Sequence, residues 1–381
     1  MKRFGWLLVT VLLLVGLLPV TVKAANLEVE AKSAALMDVA TGTILFEQNS
    51  HEPLAPASVT KVMTMLLIME AIDSGKIGWS DSVTASEAAA AKGGSQVYLK
   101  VGESMSVEEM VKSIAVSSAN DCACAMAEHL AGSEAAFVEA MNTRAKELGM
   151  NDTNFVNCTG LDDAEDAVNH RTSAHDIALM SRELLYNHPD ITKFTTIWMD
   201  NIRGGAFGLS NTNKMVRFYN GCTGLKTGFT RGAGYCLSAS AEREGLQLIA
   251  VVMGCETSQK RFAACKSMLD YGFANYALAE PELPAESTVP VKLGIAESVK
   301  AIPSGSGKML IDKGQKDTVT TELILDAEVT APVSQGQRLG TLTVKAGEQI
   351  LAQIPMVAEN SVEKLTFWQM FGKLMKQVCM K

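Results

Sequence analysis

The sequence predicts an α+β protein, α/β in the broad sense, whose first unit is an antiparallel sheet of about five strands with a helical insertion. Short apolar runs joined by tight turns stand near both ends of residues 25–279, and such runs are typical of antiparallel strands. Between them, from residue 80 to 148 and again from 172 to 186, apolar residues recur at helical spacing. Beyond residue 280, short alternating runs predict a small C-terminal all-β domain, which an amphipathic helix follows.

The predicted sheet takes its strands from both ends of the first unit. Ser33–Asp38 and Thr43–Glu47 flank a Thr-Gly turn and predict a β-hairpin. Three more strands are predicted at Leu225–Thr230, Tyr235–Ala241 and Leu246–Gly254. The sheet is therefore expected to join segments far apart in the sequence, with helices inserted between them.

The first predicted helix, Val59–Ile72, is apolar nearly all round, so we expect it inside a core. Ser106 and Glu109 have the spacing of a capping box and predict a helix start. Residues 150–171 are rich in Asn, Asp, Thr and Gly and are expected to be irregular. The other predicted helices are Cys122–Leu130, Glu134–Leu148, Thr172–Tyr186 and Gln259–Tyr276.

Residues 1–24 are predicted to be a signal peptide. Two basic residues precede an apolar run from Trp6 to Val20, and Val22-Lys23-Ala24 is similar to a small-x-small cleavage site. An uncleaved anchor is the competing interpretation, but a membrane span needs about 20 apolar residues. We therefore expect an exported protein that works on the outer face of the cytoplasmic membrane.

The C-terminal part divides into two predicted pieces. Glu280–Pro284 is a linker by composition, and residues 280–360 are predicted to be the β-rich domain. Residues 361–381 predict an amphipathic helix, because apolar residues recur at helical spacing in Val362–Lys381 while lysines supply positive charge. Such a helix suits a membrane surface as its partner, and docking on the β-rich domain is the alternative.

Charge and cysteine usage exclude several function classes. The net charge of −8 becomes −11 (−8 − 3) when the three basic residues of the signal peptide are removed, so nucleic acid is not expected as a partner. The eight cysteines lack Cys-x-x-Cys spacing, and no metal or other cofactor is expected. Their scatter through apolar segments favours free thiols, with a single disulfide left open.

Three short motifs occur in a fixed order: Ser58-x-x-Lys61, Ser118-x-Asn120 and Lys226-Thr227-Gly228. Residues three apart share one face of a helix, so the Lys61 amine is expected beside the Ser58 hydroxyl. A neutral lysine can then act as the base for a serine nucleophile. The same Ser58 is also predicted to cap the helix that it begins.

The other two motifs supply the rest of an acyl-transfer site. Ser118 and Asn120, at a corner between helices, can relay protons and hold a substrate amide. Lys226 and Thr227, on a strand, offer positive charge and a hydroxyl for a substrate carboxylate. Gly228 would let the substrate approach the strand backbone closely.

Together the motifs resemble the signature of the penicillin-interacting serine enzymes. The closer resemblance is to the D-alanyl-D-alanine carboxypeptidases among the low-molecular-mass penicillin-binding proteins. It covers nearly the whole chain and implies a fold of the β-lactamase/transpeptidase type. The segments that carry it are Pro56–Thr64, Ser118–Asp121, Gly224–Thr230 and Ala233–Cys236.

This resemblance implies that Ser58, activated by neutral Lys61, attacks the penultimate D-alanine of a peptidoglycan stem peptide ending in D-Ala-D-Ala. The backbone N–H groups of Ser58 and Phe229 would form the oxyanion hole, and Arg261 would assist in binding the terminal carboxylate. β-Lactam antibiotics would acylate Ser58 as substrate mimics. The activity would serve cell-wall biogenesis and cell shape, without a cofactor.

Competing interpretations concern other residues. A Ser-His triad could use His170 or His175, but neither stands beside a nucleophile motif. A class A-like β-lactamase could use Glu183, which lies at the end of a predicted helix. A catalytically silent wall-binding protein is disfavoured by the intact set of motifs. A second Ser-x-x-Lys, Ser361–Lys364, has no other motif beside it.

Overall fold

The computed structural model describes residues 27–163, 165–280, 287–304 and 307–379. The strands of the first unit are β1 (Ser33–Asp38), β2 (Ile44–Gln48), β3 (Ser82–Thr84), β4 (Ser104–Ser106), β5 (Met199–Ile202), β6 (Phe207–Ser210), β7 (Cys222–Thr230), β8 (Gly234–Arg243) and β9 (Leu246–Cys255). The main sheet has five antiparallel strands in the order β2-β1-β9-β8-β7, as predicted. The two hairpins β3/β4 and β5/β6 were not predicted, because strands of three or four residues are too short to show alternation.

The α-helices of the first unit are α1 (Lys61–Asp73), α2 (Glu87–Ala90), α3 (Val107–Ser117), α4 (Asn120–Ala131), α5 (Glu134–Glu147), α6 (Ala174–Asn187), α7 (Thr192–Thr195), α8 (Met215–Phe218) and α9 (Ser258–Asn275). Single 3-10 turns occur at Ala57–Thr60, Glu165–Asn169, Pro189–Ile191 and Arg203–Gly205. The longer predicted helices are confirmed with shifted ends. Helix α4 begins two residues earlier than predicted, because the Asn120 N–H already has a partner in the Ser95 carbonyl (2.7 Å).

Helix α1 lies in the core, as its apolar composition predicts. Nine of its thirteen residues are buried, among them Met63, Leu66 and Ile68. Burial of each such side chain stabilises the fold by about 1.5–3 kcal/mol. Lys61 is buried on the same helix, and a lysine in such a place requires compensating contacts.

The predicted capping box at the start of α3 is formed only in half. The Ser106 hydroxyl accepts the Glu109 N–H (3.2 Å), which caps the helix. The Glu109 carboxylate does not complete the reciprocal bond and instead accepts the backbone N–H of Arg203 (2.8 Å). Tertiary contact with the β5/β6 hairpin therefore takes the place of the local bond.

The C-terminal part is a β-rich domain, as predicted. Its strands are β10 (Tyr276–Ala279), β11 (Thr288–Lys292), β12 (Ser298–Pro303), β13 (Met309–Asp312), β14 (Val319–Leu325), β15 (Val329–Thr330), β16 (Arg338–Ala346) and β17 (Gln349–Ala358), with a 3-10 segment at Lys313–Thr318. Six of them form a sheet in the order β14-β16-β17-β12-β11-β15, and β10 pairs with β13. The fold class is thereby confirmed, including the helix that follows this domain.

That helix, α10 (Phe367–Cys379), presents large apolar side chains to water. Phe367, Trp368, Phe371 and Met375 are all exposed. Within the described ranges, no helix combines the length and apolar character needed to cross a membrane. The predicted signal peptide lies outside the described residues.

Candidate active site

Ser58 stands in the 3-10 turn that leads into α1. The residue before it, Ala57, has φ +48°, a left-handed conformation that costs a non-glycine residue about 1–2 kcal/mol. The expectation that Ser58 caps the helix is wrong, because its hydroxyl accepts no backbone N–H of the turn or of α1. The Ser58 side chain is instead partly exposed and faces Lys61, so it serves the site and not the helix end.

Lys61 has the contacts and the pKa of a base. Its Nζ donates to Ser58 Oγ (2.9 Å) and to the Thr159 carbonyl (2.8 Å). Burial lowers the pKa of Lys61 from 10.5 to about 7, against smaller opposing effects of Cys158 and Asp121. A substantial fraction of the lysine is therefore neutral at neutral pH and can accept the Ser58 proton.

Ser118 and Asn120 stand at the corner between α3 and α4. Ser118 ends α3 with φ +63° and is buried, and its hydroxyl has no hydrogen-bond partner. Asn120 begins α4, and its side-chain N–H donates to the Gly93 carbonyl (2.7 Å) while its Oδ1 is unpartnered. Unsatisfied buried polar atoms are uncommon and call for a ligand or a functional explanation. A bound substrate could supply both missing partners.

Gly93 and Gly94 belong to a loop that supports this corner. Gly94 has φ +75°, and a Cβ placed there would lie 2.7 Å from Asn120 Nδ2. Asp121 holds the following segment, because its carboxylate accepts the N–H groups of Val97 (3.1 Å) and Leu99 (3.0 Å). The Asn120 amide is therefore fixed by the backbone of a distant loop.

Lys226 and Thr227 lie on β7, which is an edge strand of the sheet. Lys226 is buried, and its Nζ donates to the Thr227 carbonyl (3.0 Å). Burial, with the nearby charges of Lys61 and Arg261, lowers the pKa of Lys226 well below its ordinary value. The Thr227 hydroxyl donates to the hydroxyl of Thr212 (2.6 Å), a contact that sequence reasoning missed.

Gly228 touches the turn that carries Ser58. A Cβ at Gly228 would lie 2.7 Å from the Pro56 carbonyl and 3.1 Å from the Ser58 nitrogen. The close approach that requires glycine is therefore between β7 and the chain's own turn. Phe229, next on the strand, is 51% exposed and stacks on Tyr235 with ring centroids 4.3 Å apart.

Arg261 contacts the backbone of β7 and β8. Its Nη1 donates to the carbonyls of Gly228 (3.1 Å) and Cys236 (3.3 Å), and its guanidinium lies over the ring of Tyr235. Arg261 Nε is buried without a partner. Burial also lowers the pKa of this guanidinium from its ordinary value.

The turn Asn157–Gly160 also contacts the site. The sequence predicts only an irregular stretch there. The turn's Thr159 carbonyl accepts a hydrogen bond from Lys61 Nζ, and its Cys158 carbonyl accepts one from the hydroxyl of Thr64 (2.7 Å). Gly160 has φ +82°, and a Cβ there would lie 1.8 Å from the Ala57 carbonyl. The Gly160 position was the one signal in the sequence, since a glycine in a polar stretch is typical of a tight contact.

The residues of the competing interpretations make no hydrogen bond to Ser58. The Glu183 carboxylate pairs with Arg144 (2.6 Å), so it is not free to activate water. His175 stacks on His51 near the start of α6, with centroids 4.3 Å apart. His170 contacts Thr60 and not Ser58, so neither histidine completes a Ser-His triad.

The described cysteines and one carboxylate cluster are the groups to consider as metal ligands. The seven cysteines whose side chains the structure describes are free thiols. One group of described residues, Glu70, Glu183 and His188, has the proximity for a cation. Arg144 already pairs with both of those carboxylates (2.7 and 2.6 Å).

A serine 2.9 Å from a buried lysine of lowered pKa, together with a buried unpartnered serine and asparagine and a Lys-Thr strand edge, defines a serine hydrolase of the acyl-transfer class. The chain belongs to the Peptidase S11 family, described as D-alanyl-D-alanine carboxypeptidase, whose model matches residues 20–257. A second model, the C-terminal domain of penicillin-binding protein 5, matches residues 282–364.

Individual relatives agree with this assignment. The chain is 44% identical over 352 residues to D-alanyl-D-alanine carboxypeptidase DacF of Bacillus subtilis, covering 91% of this chain and 89% of the relative. The crystal structure of penicillin binding protein 5 from Haemophilus influenzae aligns with TM-score 0.72 and 30% identity, over 88% of this chain and 98% of that one. Penicillin-binding protein D2 from Listeria monocytogenes, in the ampicillin-bound form, aligns with TM-score 0.59 and 33% identity, over 65% and 99%.

Proposed function

We propose that this protein is a serine-type D-Ala-D-Ala carboxypeptidase that removes the terminal D-alanine from peptidoglycan stem pentapeptides through an acyl-enzyme on Ser58. The observation that carries the proposal is the Ser58–Lys61 pair, 2.9 Å apart, with a lysine whose pKa is about 7. Membership of the Peptidase S11 family supplies the substrate class. The reaction would serve cell-wall biogenesis.

Acylation begins when neutral Lys61 takes the proton of Ser58. The Ser58 oxygen then attacks the carbonyl carbon of the penultimate D-alanine, forming a tetrahedral intermediate. Backbone N–H groups of Ser58 and Phe229 would hold its oxyanion, and removal of such a donor typically costs about 10²–10³ in rate. The Lys61 proton passes through the Ser118 hydroxyl to the leaving nitrogen, and D-alanine departs.

Recognition of the substrate falls to β7 and to α4. The terminal carboxylate would lie against Lys226 and Thr227. Arg261, which contacts the backbone of β7, would add positive charge. A bound carboxylate would favour the protonated form of Lys226, which burial disfavours in the free enzyme. Asn120 Oδ1, which is unpartnered, would accept a substrate amide N–H.

Deacylation completes the cycle. Water, deprotonated by Lys61, would attack the ester on Ser58 and release the shortened stem peptide. A β-lactam would acylate Ser58 in the same way, because its amide bond mimics the D-Ala-D-Ala bond. The ampicillin-bound form of the Listeria relative supports this as an interaction of the fold.

The test compares wild type with Ser58→Ala in two assays. Wild type should release D-alanine from a peptide ending in D-Ala-D-Ala and bind a fluorescent penicillin covalently, and the variant should do neither. Covalent labelling of Ser58→Ala at the wild-type level would refute the proposal. Penicillin hydrolysis with rapid turnover and no D-alanine release would instead identify a β-lactamase.

The proposed location is the outer face of the cytoplasmic membrane, with α10 lying in the membrane interface. Exposed Phe367, Trp368 and Phe371 would enter the acyl boundary, and the lysines of the tail would meet anionic headgroups. Trp368→Glu with Phe371→Glu should abolish co-sedimentation with vesicles containing anionic lipid. Penicillin labelling in solution should stay unchanged, and full vesicle binding by this double variant would exclude α10 as the anchor.

A further inference from the structure

His170 is joined by hydrogen bonds to two elements of the active site. Its Nε2 lies 2.7 Å from the Thr60 hydroxyl, which donates to the Ala57 carbonyl (2.8 Å). On the opposite side of the ring, the Val156 N–H donates to Nδ1 (3.1 Å). The ring is 3% exposed and packs edge-on against Phe155, with centroids 5.7 Å apart.

These partners assign the protonation of the ring. Because Nδ1 accepts the Val156 N–H, it carries no proton, and the neutral ring must carry its proton on Nε2. That proton is donated to the Thr60 hydroxyl, whose own proton goes to Ala57. Burial, with the charges of Arg171 and Lys61, lowers the pKa of His170 from 6.5 to about 4. A ring with both nitrogens engaged has no lone pair left to serve as a base.

The two elements held by His170 are those that place the nucleophile and its base. On one side is Ala57, whose left-handed φ of +48° sets the direction in which Ser58 leaves the turn. On the other side Val156 begins the segment whose Thr159 carbonyl receives Lys61. Gly160 closes the assembly, since it packs directly on the Ala57 carbonyl.

We propose that His170 is a positioning residue for acylation: its Nε2–H tautomer links the Ala57–Thr60 turn to the Val156–Gly160 segment and so fixes Ser58 against Lys61. The inference rests on the proposed function, because it needs Ser58 as the acylated residue. His170 touches neither the substrate nor the reacting atoms. It acts through Thr60 on the nucleophile and through Val156 on the carbonyl that holds the base.

The test measures the rate at which a fluorescent penicillin acylates the full chain. The rate is calculated per site that is labelled at completion. His170→Phe keeps the ring volume and removes both hydrogen bonds. We expect one label per chain at completion, a rate about 30- to 100-fold lower than wild type, and pre-covalent binding of the penicillin within about threefold. Counting only labelled sites separates the rate from any loss of folded protein.

Two further variants identify the route. His170→Gln retains an amide donor toward Thr60 and should recover at least about tenfold of the lost rate. Thr60→Val removes the hydroxyl and should also slow acylation. In the double variant with His170→Phe, the two fold-losses in acylation rate should not multiply, because both substitutions break the same series of hydrogen bonds. His175 lies outside this series of hydrogen bonds, so His175→Ala is the matched control and should be acylated at the wild-type rate.

The outcomes are decisive in either direction. A His170→Phe rate within about threefold of wild type, no recovery in His170→Gln, or losses that multiply with Thr60→Val would each overturn the inference. If His170→Phe does not fold, ¹⁵N NMR of wild type still decides: an Nδ1–H tautomer or an imidazolium at pH 7 overturns it. Persistent labelling of Ser58→Ala would refute the proposed function instead, so the two failures are distinguishable.

Discussion

Two Ser-x-x-Lys sequences occur in this chain, and the structure places them in opposite surroundings. At Ser58–Lys61 the backbone is helical, the lysine is buried, and the amine lies 2.9 Å from the hydroxyl. At Ser361–Lys364 both side chains are exposed, and Lys364 forms an isolated bridge with Gly294 in extended backbone. The Ser361 hydroxyl accepts the Gln335 N–H (2.9 Å), which is a contact between two loops.

The difference shows that spacing alone does not create a nucleophile. Three residues bring two side chains together only where the chain turns as a helix, and a lysine becomes a base only where water is excluded. Lys61 meets both conditions because α1 runs through the core and the Thr159 carbonyl gives its amine a partner. Neither condition is met at the second sequence, which makes Ser361 and Lys364 matched controls.

The largest expected effect separates the two serines. Ser58→Ala should reduce covalent penicillin labelling by at least about 10³-fold, since it removes the attacking oxygen. Ser361→Ala should label at the wild-type rate. Labelling is measured by gel fluorescence over time, and equal loss in both variants would mean that the exposed serine also takes part.

Among the glycines near the candidate site, Gly160 should be the one whose substitution destabilises the fold most. Gly160→Ala places a methyl group 1.8 Å from the Ala57 carbonyl at φ +82°, so we expect a loss of at least about 3 kcal/mol in the free energy of unfolding, with slowed acylation. Gly149→Ala is the control, because Gly149 has φ +74° and no atom within 4 Å of the added carbon. It should cost about 1 kcal/mol. Urea denaturation compares them, and equal losses would show that contact with Ala57 contributes nothing.

The pH dependence of acylation tests the base. Protonated Lys61 has no lone pair, so the acylation rate should rise about tenfold per pH unit below a pKa of about 7 and level off above it. Lys61→Met should abolish acylation at every pH, whereas Lys364→Met should reproduce the wild-type profile. The rate constant is measured by stopped-flow with fluorescent penicillin from pH 5 to 9. A flat wild-type profile would exclude a titrating lysine base.

What the sequence could predict follows the same division between local and distant contacts. Strand pairing of β7, β8 and β9 was predictable, because alternation and tight turns are local signals. The Ser58–Lys61 contact was predictable for the same reason, since one helical turn determines it. The capping role given to Ser58 failed, because the left-handed Ala57 replaces the expected N-cap with a 3-10 turn.

Contacts between distant segments were not predictable. The Thr159 carbonyl reaches Lys61 across 98 residues, and its position depends on a turn without periodicity. The Gly93 carbonyl that holds Asn120 belongs to another such loop. Nothing in a single sequence indicates that the His170 ring bridges Thr60 and Val156, and the sequence suggests this histidine only as a candidate base.

The smallest expected effect is on stability and again compares the two lysines. In the unfolded chain Lys61 keeps its proton up to about pH 10.5, and in the folded protein only up to about 7, so unfolding takes up a proton between these values. The free energy of unfolding should therefore rise with pH across this window, by about 1 kcal/mol per unit from Lys61. Lys61→Met should flatten the slope by that amount and Lys364→Met should leave it unchanged, as measured by urea denaturation at pH 7.5 and 9. A Lys61→Met slope parallel to that of wild type would mean that Lys61 is charged in the folded enzyme.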